Sequence, residues 1–245
     1  MEFTYNSYGR LITLLGDNAY EISNYKNFEN KLKPVILRHD IDWSIDKGLR
    51  LAEFEASLGV SSTYFVMVTS PFYNIAERNN IEKLKKIVKL KHEIGLHFDE
   101  LNYSEDCYNA NEGIEGLVQK EATILGTILN TKVSSVSMHR PSEETLNMDY
   151  QFEGIINSYS KKFFREFKYV SDSRGRWREN VCEIISSNKY NRLHILTHAF
   201  LYSVEGENIS DATKKFINSA NKERYKMVAD NITNVDELVT IHEVR

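Results

Sequence analysis

Five short segments of this chain end in residue types that bind metals or transfer protons. They read R-H-D-I-D-W at 38–43, G-L-H-F-D at 95–99, S-M-H-R-P at 137–141, S-D-S-R-G-R-W at 171–177 and L-T-H-A-F at 196–200. Each follows residues typical of a short strand. Since the working residues of parallel α/β folds lie at the carboxyl ends of strands, this agreement predicts one polar site at that edge of a sheet.

The first of these ends brings two carboxylates to one side of the chain. If the two-residue period of a strand persists to its end, Asp40 and Asp42 share a face with Arg38, while His39 and Ile41 lie on the other face. Carboxylates beside imidazoles suit a divalent cation, because zinc is commonly held by three His or Asp side chains with a fourth position open to water.

Asp42 and His97 are the predicted metal ligands of this site. Asp40 is placed to take a proton from an attacking water, and His198 to protonate a leaving group. Alone, a D-x-D pair or a histidine at a strand end more often makes structural hydrogen bonds. The prediction therefore depends on the five ends together.

Arginines and a tryptophan beside these ends suggest how a substrate is held. Arg140, Arg174 and Arg176 either form surface ion pairs or bind an anionic substrate such as a nucleotide or phosphate. Trp177 closes the fourth segment and is assigned to substrate binding with them, although it also suits a packing role. Three other histidines lie outside the five segments and are predicted to be structural or solvent-facing, namely His92, His194 and His242.

The elements that must position these residues alternate between short apolar segments and longer segments of helical period. Strands are predicted at 34–40, 62–68, 93–97, 132–138, 168–170, 193–197 and 238–242, and helices at 45–58, 75–92, 112–129 and 211–230. In the first helix, Ile45, Leu49, Ala52 and Ala56 form the predicted apolar face and Gly59 the cap. Repeated βα units favour one parallel barrel.

No repeat or linker marks a boundary, so one domain is predicted over 1–245, with 1–33 packing on the barrel and 201–245 supplying a helix and a short strand.

The net charge of −4 gives no sign of a nucleic-acid partner, and no apolar run is long enough for an integral membrane segment. Cys107 and Cys182 lack C-x-x-C spacing, so the sequence does not support a zinc knuckle or a dithiol redox site. The first twenty residues do not resemble a signal peptide, so a cytoplasmic location is expected.

The order of the motifs H-D-I-D, H-E-I-G-L-H, H-R-P, D-S-R-G-R-W and L-T-H resembles the NodB-like polysaccharide deacetylase superfamily, which includes carbohydrate esterase family 4. The resemblance spans about 34–200. It implies an α/β fold, a single distorted (β/α) barrel with about seven parallel strands, and the metal-dependent removal of acetyl groups from N-acetylated sugars.

The resemblance also implies roles for individual residues. Asp40 matches the general base, Asp42 and His97 match metal ligands, and His198 matches the acid. Asp172 with Trp177 matches the motif that orients this acid or lines the site beside it.

Two positions depart from the family pattern. The family usually has H-S/T-x-x-H, but Leu101 stands four residues beyond His97 and cannot ligate a metal. His139 lies where the family more often has an arginine, and it is the favoured replacement for the missing ligand. Asp99, two residues past His97 on the same strand face, is the alternative third ligand.

The predicted function is a hydrolase that removes an N-acetyl or similar acyl group from an amino sugar, as a nucleotide-linked or lipid-linked intermediate of surface polysaccharide biosynthesis. One divalent metal ion is expected, zinc first, with cobalt, nickel or manganese as alternatives. Two other hypotheses remain. One is a metal-independent glycoside hydrolase using Asp40 and another carboxylate, and the other is a non-catalytic carbohydrate-binding barrel.

Overall fold

Parallel strands form the centre of the computed structural model, which describes residues 1–110 and 113–244. The strands are β1 (Glu21–Ser23), β2 (Pro34–Ile41), β3 (Thr63–Val66), β4 (Glu93–Phe98), β5 (Ser135–Met138), β6 (Ile156–Asn157), β7 (Lys168–Ser171) and β8 (Leu193–His198). Seven follow the order β6-β5-β4-β3-β2-β8-β7, and β1 pairs with the first residues of β2. The sheet is curled into a half-barrel with flanking helices, which confirms the predicted distorted (β/α) barrel.

Helices precede, connect and follow these strands. Within the described residues they are α1 (Tyr5–Asp17), α2 (Ile45–Ser57), α3 (Arg78–Lys89), α4 (Glu105–Ala110), α5 (Gly113–Leu129), α6 (Glu143–Asn147), α7 (Lys161–Arg165), α8 (Val181–Ser186), α9 (Ile209–Ala229) and α10 (Val235–Leu238). Glu112, the first residue of the helix predicted at 112–129, lies outside the described residues, and α5 is the rest of that helix. None of the described helices combines the length and apolar character needed to cross a bilayer.

One glycine ends α2 and another lets the helix lie close to the sheet. Gly59 has a φ of 72°, and the amides of Gly59 and Val60 each donate across 3.0 Å to carbonyls of the last turn. This confirms Gly59 as the cap, because that backbone conformation favours glycine. A Cβ on Gly48 would lie 2.6 Å from the Ile41 side chain, so α2 approaches β2 as closely as it does because residue 48 has none.

The chain divides into two compact units, Met1–Val204 and Glu205–Arg245. In the first unit, Thr4 caps the start of α1, since its hydroxyl accepts from the Ser7 amide at 2.9 Å. This helix buries Tyr8, Leu11 and Leu15 in the main apolar cluster. In the second, Asn208 caps the start of α9, and its side chain accepts from the Asp211 amide at 3.0 Å.

The predicted strand at 238–242 is wrong. Val235–Leu238 is the short helix α10, and Val239 still donates to the Val235 carbonyl at 2.9 Å. The amide and hydroxyl of Thr240 then bind the Glu243 carboxylate at 2.8 and 2.9 Å. The β-branched residues there suggested a strand, but these local hydrogen bonds satisfy the backbone without a neighbouring strand.

The buried face of α2 carries a glutamate that the apolar pattern did not predict. The buried residues are Ile45, Gly48, Leu51, Ala52 and Glu55, whereas the predicted Leu49 and Ala56 are only partly buried. Glu55 is fully buried and binds the hydroxyls of Tyr8 (2.5 Å), Ser62 (2.5 Å) and Tyr64 (2.7 Å) and the His39 ring (2.9 Å). Its carboxylate therefore joins α1, α2 and the adjacent strands β2 and β3.

Glu121 gives a prediction about the pH dependence of stability. This α5 residue is 2% exposed, accepts a hydrogen bond from Tyr103, and has a buried Oε2 without a hydrogen-bond partner among the described residues. Burial raises the pKa of Glu121 to about 7. Because the folded state favours the protonated form, its stabilising effect is full below the unfolded pKa of about 4.3 and is lost as pH rises through 7.

The free energy of unfolding of the wild type should fall between pH 5 and pH 8. We expect this fall to be about 2 kcal/mol smaller in Glu121→Gln. Urea unfolding at both pH values measures it. Glu115→Gln, at an exposed position of the same helix, serves as the control and should leave the fall unchanged. Equal pH dependence in wild type and Glu121→Gln would contradict the assignment.

Candidate active site

The carboxyl ends of β2, β4, β5 and β8 bring the predicted residues together. In the register of the sheet, Asp40 lies beside His198, and His97 lies beside Ser137. Asp42 and His139 each follow the end of a strand. Residues far apart in sequence thus share one edge of the sheet, as the strand-end pattern predicted.

Asp42, His97 and His139 form a group that can hold a metal ion. The Asp42 Oδ1 atom lies 3.1 Å from His97 Nε2 and 3.4 Å from His139 Nδ1, and the two ring nitrogens are 3.1 Å apart. A tetrahedral zinc ion, with ligands at about 2.0–2.1 Å, separates those ligands by about 3.3–3.4 Å. The three donor atoms are therefore already spaced almost as such an ion requires.

The Asp42 carboxylate gives a second reason to regard this group as a fit for a metal. Its Oδ1 atom is buried and has no hydrogen bond of acceptable geometry among the described residues. Burial opposes its ionisation, but the nearby His139 and His97 rings hold the pKa of the carboxyl well below its usual range. A buried anionic oxygen without a hydrogen-bond donor is what a cation would satisfy.

Contacts behind the two candidate ligand histidines hold them in place. His97 Nδ1 lies 2.6 Å from the Ser137 hydroxyl, which leaves Nε2 facing Asp42. The backbone amide of His139 donates to the Phe98 carbonyl at 2.8 Å. The Ser137 contact restricts the tautomer and the ring plane of His97, while the Phe98 contact fixes the backbone from which the His139 ring projects.

Asp99, the alternative third ligand, is engaged elsewhere. Its buried carboxylate binds the Arg140 guanidinium through Nε at 3.2 Å and also through Nη2, and it accepts from the Leu101 amide at 3.3 Å. Asp99 does not belong to the group formed by Asp42 and the two histidines. Arg140, predicted to bind substrate, has its charge paired by this contact, and Leu101 is 63% exposed.

Asp40 is held by an arginine from its own strand. Arg38 Nε and Nη2 donate to the two Asp40 oxygens at 2.9 and 2.8 Å, and the Arg38 side chain is fully buried. Burial opposes ionisation of Asp40, but Arg38, followed by His97, outweighs burial and lowers the pKa of the carboxyl. Asp40 Oδ2 lies 3.6 Å from His97 Nε2, so an anionic oxygen stands beside the metal-ligand group.

His198 is held from behind by Asp172. Its Nδ1 lies 2.6 Å from Asp172 Oδ1, while Asp172 Oδ2 accepts from the His198 amide at 2.9 Å and from the Thr197 hydroxyl. Burial would lower the pKa of His198, but Asp172 outweighs burial and raises it to about 9. The free Nε2 lies 3.6 Å from Asp42 Oδ2, so a protonated ring faces the site.

The fourth predicted segment forms a loop after β7. Trp177 stacks on Phe3, with ring centroids 6.2 Å apart and planes 12° from parallel, so it packs inside the first unit. Arg174 and Arg176 are exposed and line a cavity with Trp177.

The other three histidines fit their predictions. His92 is buried and contacts the Ala52 carbonyl at 2.9 Å, and His194 is buried against the Tyr25 hydroxyl at 2.7 Å. His242 is exposed.

Three residues that support the site were not among the predicted site residues. Arg38 was placed on the Asp40 face but given no role, and Ser137 and Thr197 were not singled out. Ser137 lies two residues before His139, and this spacing was the available signal for a side chain on the same face.

Comparison with family models and with curated protein sequences gives no match. Solved structures do match. A carbohydrate esterase family 4 pseudoenzyme from Bacillus anthracis is 17% identical, with 77% of this chain and 62% of that chain covered and a TM-score of 0.40. A family 4 carbohydrate esterase from the same organism is 15% identical, with 86% of both chains covered and a TM-score of 0.45. A polysaccharide deacetylase from Bacillus cereus is 12% identical, with 78% and 88% covered and a TM-score of 0.46.

Polysaccharide deacetylases of carbohydrate esterase family 4 are thus among the structures that this chain is similar to, and this is the family that the five motifs resemble. The chain spans 62% of the length of the pseudoenzyme.

Proposed function

We propose that this protein is a metal-dependent hydrolase that removes an acetyl or similar acyl group from an amino sugar. The observation that carries the proposal is the spacing of Asp42, His97 and His139, with Asp40 and His198 beside them. Two imidazole nitrogens and one carboxylate oxygen favour zinc, with cobalt, nickel or manganese as alternatives. When bound, the cation supplies Lewis acidity that polarises the acyl carbonyl and lowers the pKa of a water.

The residues of this chain provide the proton transfers. Asp40, kept anionic by Arg38, accepts the proton of the attacking water. The amide C–N bond then breaks as the His198 imidazolium gives its proton to the departing amine, while Asp172 holds the ring in place. The products are a carboxylic acid and a free amino sugar, so the atoms of one water are accounted for.

A nucleotide-linked or lipid-linked sugar in the cytoplasm is the proposed substrate, within surface polysaccharide biosynthesis. Exposed arginines on the loop that begins at Asp172 support an anionic substrate of this kind.

The direct test combines metal analysis with acetate release from N-acetylated nucleotide sugars. We expect about one metal ion per chain, and loss of hydrolysis after chelation with recovery on metal addition. Cleavage of a glycosidic bond that survives metal removal, without acetate release, would instead support a glycoside hydrolase. Sugar binding without turnover in metal-replete protein would support the non-catalytic alternative, which the Leu101 departure motivates.

Asp40→Asn tests the proton acceptor separately. The amide keeps the size of the side chain but cannot accept a proton as the carboxylate does, so hydrolysis should fall by about 10²–10⁴-fold with metal content unchanged. Asp46→Asn, on an exposed residue of α2, is the matched control and should keep full activity. Full hydrolysis by Asp40→Asn would show that Asp40 is not the base.

A further inference from the structure

The loop after β7 carries a cationic cavity outside the metal-ligand group. Its volume is about 630 Å³, and it is lined by Ser173, Arg174, Arg176, Trp177 and Arg178. Among the described residues, no ion pair neutralises any of the three arginines. A volume in this range is typical of a small-molecule site.

The carboxylates nearest in the chain to these arginines are engaged elsewhere. Both oxygens of Glu179 accept from Lys168 Nζ at 2.7 Å. Asp172 is fully buried, with one oxygen on the His198 ring and the other on the His198 amide and the Thr197 hydroxyl. The positive charge of the cavity is therefore uncompensated locally, although the chain as a whole has a net charge of −4.

The backbone of this loop is held in an unfavourable conformation. Arg174 has a φ of 65° and Gly175 a φ of 73°, and the left-handed region is unfavourable for arginine. The loop is tied to the strand by the Arg176 amide, which donates to the Asp172 carbonyl at 3.1 Å, and by Trp177, which stacks on Phe3. An unpaired arginine in a strained position, where glycine would fit better, points to a role for its side chain in binding.

We propose that this cavity binds the diphosphate group of a diphosphate-linked amino sugar. Guanidinium groups bind phosphate oxygens through paired N–H donors, and three of them more than balance the two negative charges of a diphosphate that links two groups. Because the same loop begins at Asp172, which holds His198, the bound anion would anchor the substrate beside the acid. This inference rests on the proposed function and names its substrate class.

Binding of inorganic pyrophosphate to the metal-loaded protein, measured by calorimetry, tests the cavity without any turnover. We expect one pyrophosphate per chain, with affinity that falls as salt rises. Arg174→Gly and Arg176→Ala should each weaken binding by about tenfold or more. Arg50→Ala, on an exposed arginine of α2, should leave binding unchanged.

Arg174→Gly also separates binding from folding. Glycine adopts the observed φ at residue 174 without strain, so this variant should unfold at the same temperature as wild type or a higher one while it loses affinity. Unchanged affinity in both arginine variants would overturn the proposal. So would binding that is lost in Asp42→Asn but kept in the arginine variants, because the pyrophosphate would then sit on the metal.

Competition then distinguishes the sources of the diphosphate. A uridine diphosphate sugar and a short-chain prenyl diphosphate sugar should each displace pyrophosphate, whereas neutral N-acetylglucosamine should not. The diphosphate sugar that binds more tightly identifies the substrate as nucleotide-linked or lipid-linked. If neither sugar displaces pyrophosphate, the assignment is overturned. Since no arm measures hydrolysis, failure of diphosphate binding and failure of acetate release are separate results, and the first leaves the deacetylase proposal standing.

Discussion

Asp42→Asn is expected to leave the purified protein without bound metal and to reduce hydrolysis by on the order of 10³-fold or more. Asp42 contributes the oxygen that both imidazoles approach, at 3.1 Å from His97 and 3.4 Å from His139. An amide in its place has no negative charge to balance a divalent cation. His97→Ala should lose the metal as well, because it removes one of the two ring nitrogens.

Metal content per chain and acetate release, measured on the same preparations, check this expectation. His242→Ala is the control, since it removes an exposed histidine and should keep both metal and activity. His139→Ala and Asp99→Ala then compare the two candidates for the third ligand. We expect metal loss with His139→Ala only, and retention of metal in Asp42→Asn would contradict the site.

The largest loss of stability is expected from Glu55→Ala. The substitution leaves the hydroxyls of Tyr8, Ser62 and Tyr64 and the ring of His39 without the carboxylate that they all contact. Removing one partner of a buried charged group costs about 3–5 kcal/mol, because the remaining groups stay desolvated and unpaired. Urea unfolding at pH 7 measures the change.

Glu53→Ala is the matched control, two residues earlier on the same helix. Glu53 pairs at the surface with Lys86, so its loss should cost only about 0–1 kcal/mol. The two variants remove the same side chain from one helix and differ chiefly in burial. A cost for Glu55→Ala no larger than the Glu53→Ala cost would rule out a stabilising role for the buried group.

The same carboxylate should also make stability sensitive to acid. Burial opposes its ionisation, but His39 and the hydrogen bonds outweigh burial and lower the pKa of Glu55 to about 2. Its contribution is therefore complete above the unfolded pKa of about 4.3 and is lost as pH falls through 2. Wild type and Glu55→Ala should accordingly converge in unfolding free energy as pH is lowered through this range.

Much of the site could be predicted from local patterns. The two-residue period of a strand was enough to place Arg38 and Asp40 on one face, and in the structure they form a paired contact. The order of helices and strands from Pro34 to His198 was sufficient to predict a parallel sheet, because βα units place strand ends at one edge. Gly59 was recognisable as a cap for the same local reason.

The contacts of the two candidates for the third ligand depended on the tertiary structure. His139 and Asp99 were both compatible with the strand pattern. The register of β4 against β5 places His139 beside His97 and lets Asp99 pair with Arg140. The burial of Glu55 could not be predicted from the sequence either. A glutamate on a helix is expected to face solvent, and Glu55 is buried because partners from other elements surround it.

The sequence by itself therefore determined which residues lie at strand ends and which faces they share, because the repeat of a strand or helix is a local property of the backbone. Tertiary structure decided which of those residues meet. Distances between side chains from different strands depend on strand order, register and the curl of the sheet. These features arise from packing of the whole core, and no window of sequence contains them.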